Sequence, residues 1–164
     1  MAIEIRDADS RDLPTVLAMN QAAVPHVGSI ALERMQRFHD RAAYFRVALA
    51  NGSLAAFLIG LTPEADYDSP NFLWFRRNYV EFAYVDRVAV AGGARRLGLG
   101  SALYRDFEQF FSGRMPRIAC EVNLRPSNEP SMDFHRHHGF VQVGSQEIEG
   151  GAKEVAMLVK ELTS

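Results

Sequence analysis

The chain has 164 residues, 48% of them hydrophobic and 23% charged, which is the balance of one soluble globular domain spanning 1–164 with a real core. A formal net charge of −2 gives no global basic field for nucleic acid, and no apolar run approaches the ~20 residues a membrane span needs. A single cysteine excludes an internal disulfide framework and suits a reducing cytoplasm, and the alternating N-terminus lacks the apolar core of a secretory leader.

Ala2 to Arg6 alternates apolar and polar residues and predicts a first strand. Asp9 to Asp12 offers capping side chains, and Pro14 suits a first helical turn. Leu13, Val16, Leu17 and Ala23 or Val24 follow as a helical stripe that Pro25 and Gly28 end. Ser29 is placed to cap a second helix carrying Leu32, Met35 and Phe38. Phe45, Val47 and Leu49 alternate up to Asn51-Gly52, the pair that predicts a type I′ hairpin, and Leu54 to Leu61 returns as the next strand. Leu61 to Asn78 reads as a long connection with two prolines, three acids and the only tryptophan. Such a length points to a lid or acceptor contact, while simple packing of Phe72, Trp74 and Phe75 or a dimer contact stays open.

Tyr79 to Val90 reads as a long strand with Phe82, Tyr84, Asp86, Val88 and Val90 on one face. A carboxylate among apolar neighbours needs a partner or its pKa rises, so Asp86 is either a candidate general base or the partner of Arg87. A glycine-rich basic turn follows, Ala91 to Gly100, and then a helix with Leu99, Leu103, Phe107 and Phe111 at helical spacing. The first amides of a helix lack partners within it, its dipole is positive there, and glycine lets a ligand approach the backbone. With Arg95 and Arg96 beside them, the natural guest is a phosphate or pyrophosphate. Gly93 and Gly98 have P-loop spacing, but Leu99-Gly100 stands where Lys-Ser/Thr is needed. Leu103 stands where the dinucleotide fingerprint needs its third glycine.

Gly113 and Pro116 stop that helix. Arg117 to Asn123 reads as a strand with Ile118, Cys120 and Val122 on one face; Cys120 fits buried packing, and Glu121 is an alternative base or a supporting group. Asn128 caps a further helix, with Pro130 in its first turn, Phe134 and His138 one turn apart, and Gly139 at its end. His135, His137 and His138 cluster there, but no acid or cysteine at ligand spacing accompanies them, so no metal is expected. Val141 and Val143, a Glu149-Gly150-Gly151 turn, then Val155, Met157 and Val159 close the chain as a hairpin.

Arg95-x-x-Gly98-x-Gly100, with the strand Val88-Ala89-Val90 before it, resembles the pyrophosphate loop of the GNAT superfamily of N-acetyltransferases. The stretch from Asn128 to Gly139-Phe140 is similar to the family's Asn-x-x-Ala-x-x-Leu/Phe-Tyr-x-x-x-Gly-Phe segment, with Ser131 in place of alanine and His135 in place of tyrosine. The resemblance implies an α+β fold: a strongly twisted mixed sheet of about seven strands with four helices, splayed between strands 4 and 5. It implies acetyl-CoA as co-substrate, contacted by Val88, Ala89, Val90, Arg95, Arg96, Leu97, Gly98, Leu99, Gly100, Ser101, Asn128, Ser131 and His135. The first two helices would flank the acceptor. Many members keep a base on the fourth strand, at the position of Asp86 in those acting on polyamines and of Tyr84 in the histone-acting branch. The implied reaction is direct acetyl transfer to a primary amine of a small molecule or peptide, with Asp86 as base through a water and His135 at the leaving sulfur. A tyrosine at the position of His135 would always carry its proton at neutral pH, whereas histidine could donate if its pKa were raised, for instance by Asp133 or Glu129, or could only hydrogen-bond the thioester sulfur and leave water to supply the proton. A CoA-binding regulatory domain without catalysis and an O-acetyltransferase are the alternatives. Dimers are common in the family.

Overall fold

The structure is a computed structural model and describes residues 2–162. Among them are β1 (Ile3–Asp7), α1 (Leu13–Ala22), α2 (Leu32–Arg41), β2 (Tyr44–Ala50), β3 (Ser53–Leu61), α3 (Pro70–Asn78), β4 (Ala83–Val90), α4 (Leu99–Phe111), β5 (Arg117–Arg125), α5 (Glu129–His137), β6 (Val141–Ile148) and β7 (Lys153–Glu161). The seven strands follow one another in the order β1-β2-β3-β4-β5-β7-β6. The expected mixed seven-stranded sheet is present, with five helices where the sequence reading gave four. The chain divides into two compact units, one made of residues up to Leu61 with Val85–Phe110, the other of Thr62–Tyr84 with the residues from Phe111 onward.

In the first unit, β1, β2 and β3 form an antiparallel meander. The β2–β3 turn has φ of 51° at Asn51 and 83° at Gly52, the two left-handed residues a type I′ turn requires. Asp9 and Asp12 do cap, but they cap a short 3-10 turn at Ser10–Asp12 that runs into α1. The Asp9 carboxylate accepts the Arg11 amide, and the Asp12 carboxylate accepts the Asp9 amide at 2.7 Å. α1 ends at Ala22, before Pro25. The N-cap of α2 is Ala31, which has no side chain to offer; Ser29, the expected cap, instead accepts a hydrogen bond from Gln21 Nε2 at 2.8 Å. Leu99, Leu103 and Phe107 of α4 are fully buried, as the stripe predicts. Tyr44 OH and Arg46 Nη1 both donate to Asp106 Oδ2 of α4, at 2.7 and 2.9 Å. Burial, and then Asp106, pushes the Tyr44 phenol well above its ordinary value.

The second unit holds the fifth helix, α3, in the stretch that reads as a loop. Pro70 sits in its first turn, and Phe72 and Phe75, one turn apart, are both fully buried. Their rings meet those of Phe82 and Tyr84 at centroid distances of 5.4 to 6.1 Å. The two prolines and three acids that suggested a loop lie before or at the start of the helix. Because the helix runs to Asn78, the Tyr79 amide bonds Phe75 O at 2.8 Å, and the strand begins at Ala83 instead of Tyr79. Trp74 lies against Gly144 of β6 so closely that a Cβ there would be 2.6 Å from its ring. β4 joins β5 in parallel through Ala83–Ile118 and Tyr84–Ala119. β5, β7 and β6 are antiparallel neighbours, and Glu149, Gly150 and Gly151 turn the last hairpin with positive φ.

Candidate active site

In the first unit, β4 ends at Val90 and the chain enters a 3-10 turn at Gly92–Ala94, with the Ala91 amide bonded to Ala55 O at 2.8 Å. Ala94 and Leu99 are buried and pin the turn at both ends, while Gly92, Gly93, Arg95, Arg96, Leu97 and Gly98 face solvent. Arg96 and Gly98 take φ of 70° and 79°. Gly98 has no neighbour where a Cβ would stand, so its requirement for glycine is the left-handed backbone itself. α4 starts at Leu99, two residues before the expected Ser101, and its first bond runs from the Ala102 amide to Gly98 O at 3.0 Å. The amides of Leu99 and Gly100 therefore lie ahead of the helical ladder, at the positive end of a 13-residue helix. Two exposed guanidinium groups beside such amides are the donor set that a diphosphate needs.

Asp86 and Arg87 lie on β4, upstream of Val88, Ala89 and Val90. The Asp86 side chain is 3% exposed, and its Oδ2 accepts from Arg87 Nε at 2.7 Å. Of the two roles the sequence left open for Asp86, the ion pair with Arg87 is the arrangement present. Arg87 is itself buried and donates through Nη1 to Asn20 Oδ1 and to Gly28 O, each at 3.0 Å. Asn20, fully buried on α1, is a residue that sequence reading passed over. The signal was faint: one amide side chain among the apolar residues Leu13, Val16 and Met19 that α1 buries.

In the second unit, Tyr84 is fully buried, and its OH donates to the Glu121 carboxylate, 2.5 Å from Oε1 and 3.0 Å from Oε2. Glu121 is half-buried on β5 and points to the opposite face from Cys120. The sequence offered Tyr84 and Glu121 separately, and the fold pairs them.

Asn128 caps α5, its Oδ1 accepting the Ser131 amide at 3.4 Å, and the helix ends before Gly139 at φ 90°. His135 is 5% exposed, and its Nδ1 stands 2.7 Å from Ser131 O. A ring nitrogen facing a carbonyl oxygen must carry the proton, so in the neutral ring Nε2 is the acceptor. Burial lowers the pKa of His135; the bond to Ser131 opposes it, and His138 adds to the lowering. The condition for His135 as proton donor was a raised pKa beside Asp133 or Glu129. That condition is not met: Asp133 pairs with Arg136 and Glu129 with Ser127, and desolvation moves the ring the other way.

Among the described residues, no group of three His, Cys, Asp or Glu side chains is placed to hold a metal ion, and no helix is long and apolar enough to cross a membrane.

A sequence model described as the acetyltransferase (GNAT) family matches residues 6–140. No curated protein matches the sequence significantly. Among solved structures, Ard1 from Thermoplasma volcanium superposes with a TM-score of 0.81 at 19% identity, over 100% of both chains. The ribosomal-protein-S18-alanine N-acetyltransferase from Escherichia coli gives 0.74 at 17% identity, over 99% of this chain and 96% of its own. The NatC complex bound to Gag peptide and CoA contains a chain giving 0.77 at 15% identity, over 99% of this chain and 100% of its own.

Proposed function

The chain belongs to the acetyltransferase (GNAT) family, whose members are acyltransferases, and on that footing we propose that it is an N-acetyltransferase acting from one domain on a primary amine of a small molecule or peptide. The observation that carries the proposal is the exposed, basic, left-handed turn Arg95–Gly98 that delivers the chain into the N-terminus of α4. Arg95, Arg96 and the amides from Leu97 to Ser101 would hold a diphosphate. Val88, Ala89 and Val90 of β4 would offer backbone partners, and Asn128, Ser131 and His135 would complete the cofactor contacts. Acetyl-CoA supplies the activated acetyl group when bound.

An amine attacks only once its ammonium has lost a proton, so the chain must provide a base, and we assign that to a carboxylate acting through water. Glu121, held at both oxygens by Tyr84, is the carboxylate the geometry favours. Asp86 is the second reading; its Oδ2 is engaged by Arg87, leaving Oδ1 to take the proton. His135 would orient a water at Nε2, and that water would supply the proton to the departing sulfur. The α1–α2 connection would form one wall for the acceptor. The names of two similar structures, one a protein-alanine acetyltransferase and one bound to a peptide, put peptide N-termini first among acceptors to try. Polyamines and amino-acid derivatives follow, then alcohols.

The test is the melting temperature with acetyl-CoA, CoA, ATP and NAD, for the wild-type chain and for Arg95→Ala. A rise with the two CoA species alone, reduced in Arg95→Ala, is expected. No rise with either, or a rise with ATP, overturns the reading. A rise without turnover of any acceptor identifies a CoA-binding domain that has lost catalysis.

A further inference from the structure

We infer that Arg87 is a positioning residue, a buried cation that fastens the α1–α2 connection to β4, with Asp86 as its counter-charge instead of a proton acceptor. The consequence for the acceptor rests on the acetyltransferase reading; the fastening itself does not.

One guanidinium meets four partners from four segments of the first unit. Its Nε goes to Asp86 on β4 at 2.7 Å. Its Nη1 goes to Asn20 Oδ1 on α1 and to Gly28 O in the connection, each at 3.0 Å. Its carbon lies 5.4 Å from the Phe38 ring centroid on α2, within cation–π range. Asn20 completes the knot. Its Nδ2 donates to Gly28 O at 3.1 Å and to Gln21 Oε1 at 2.9 Å. Gln21 in turn accepts the Ile30 amide at 3.2 Å and donates to Ser29 Oγ at 2.8 Å. Gly28, Ser29 and Ile30 are thus each held by side chains that lead back to Arg87.

A buried ion pair is weak evidence of a stability role, because apolar residues of similar volume serve stability as well or better. What a guanidinium adds is direction: a planar fork whose donors meet several acceptors in one geometry. Arg87 lies on the strand that runs through Val88–Val90 into the Arg95–Gly98 turn. Whatever Arg87 holds is registered to that strand. A wall for the acceptor fixed in this way sets how the amine is received, not the chemistry of transfer. The two carboxylates then divide the work, Glu121 for the proton and Asp86 for the cation.

The experiment compares the wild-type chain with Arg87→Lys, which keeps a cation beside Asp86 but loses the fork, and with Asn20→Ala, which removes the bridge and leaves the ion pair. Hydrogen exchange is read at the amides of His26, Val27 and Ile30, all hydrogen-bonded in the connection. Exchange at least tenfold faster in Arg87→Lys, and faster to a smaller degree in Asn20→Ala, is expected, with the acetyl-CoA melting shift retained. For the best amine from a panel of short peptides and polyamines, the acceptor KM should rise at least fivefold while kcat stays within threefold. Asp86→Asn, which removes the counter-charge of Arg87, should also speed exchange at the His26, Val27 and Ile30 amides. Wild-type exchange in both Arg87→Lys and Asn20→Ala overturns the inference. So does loss of the acid limb of the kcat profile in Asp86→Asn, which would make Asp86 the base. If the wild-type chain acetylates no amine of the panel, the acetyltransferase reading fails and the exchange measurement still decides the fastening.

Discussion

Glu121 and His135 are the side chains whose chemistry can be tested most directly. Glu121→Gln keeps an acceptor for the Tyr84 hydroxyl and removes only the capacity to take a proton. If Glu121 is the base, kcat falls about 10²-fold or more, with little change in melting temperature. An unchanged kcat would return the role to Asp86. His135 makes a pH prediction about stability. Its folded pKa lies below the ordinary 6.5. Above that value both folded and unfolded rings are neutral, and the group contributes nothing to pH dependence. As pH falls through the unfolded value, the unfolded chain takes the proton first, so stability declines until the folded ring protonates too. Melting temperature followed from neutral pH downward should show this decline starting near pH 6.5. His135→Phe should remove that component, while the deeper acid loss from Asp9 and Asp12, whose carboxylates are held low by Arg11 and Arg6, persists.

At the scale of elements, α3 has the sharpest packing consequence. Gly144 does not take a left-handed φ, so alanine there meets a steric obstacle and not a backbone one. With the Trp74 ring 2.6 Å from the new Cβ, Gly144→Ala should cost about 1–3 kcal/mol in a urea titration. Trp74→Leu in the same chain should recover most of that, because the two sites share one contact. A full additive loss in the double variant would show that the α3–β6 seam is not the cause. The same helix shows where sequence reading stops. The hairpin at Asn51-Gly52, the α4 stripe and the glycine after α5 were all legible, because turn chemistry and periodicity are local. α3 was not. Its nine residues follow a stretch with Pro63, Glu64, Asp66 and Asp68 and open on Pro70, and its helical period rests on Phe72 and Phe75, whose burial depends on Phe82 and Tyr84. The Arg87–Asn20 bond spans 67 residues of sequence, so no local pattern could announce it. The Tyr84–Glu121 pair spans 37, and only the β4–β5 register brings it about.

For the whole molecule, the prediction is thermodynamic. A ligand present at a hundredfold over its Kd stabilises the folded state by about 2.7 kcal/mol. For a chain of 164 residues, that corresponds to a melting shift of roughly 5–11 °C. Acetyl-CoA should give a shift of this size, and ATP should not. The fold class was readable because two motifs, Arg95-x-x-Gly98-x-Gly100 and the Asn128–Phe140 segment, each sit at a helix start whose backbone geometry their residues dictate. The acceptor was not, because the α1–α2 connection and the residues around α3 are shaped by contacts distant in sequence.

The seating of Trp74 also has an optical consequence. It is the only tryptophan in the chain, half-buried with its ring edge-on to Phe75 at 5.1 Å. Indole emission from this protein therefore has a single address, the face of α3 that meets Gly144. A red shift during denaturation would time the wetting of that one contact, with no label attached and no second emitter to subtract. Compared with circular dichroism on the same sample, it would show whether the contact parts with the rest of the chain or ahead of it.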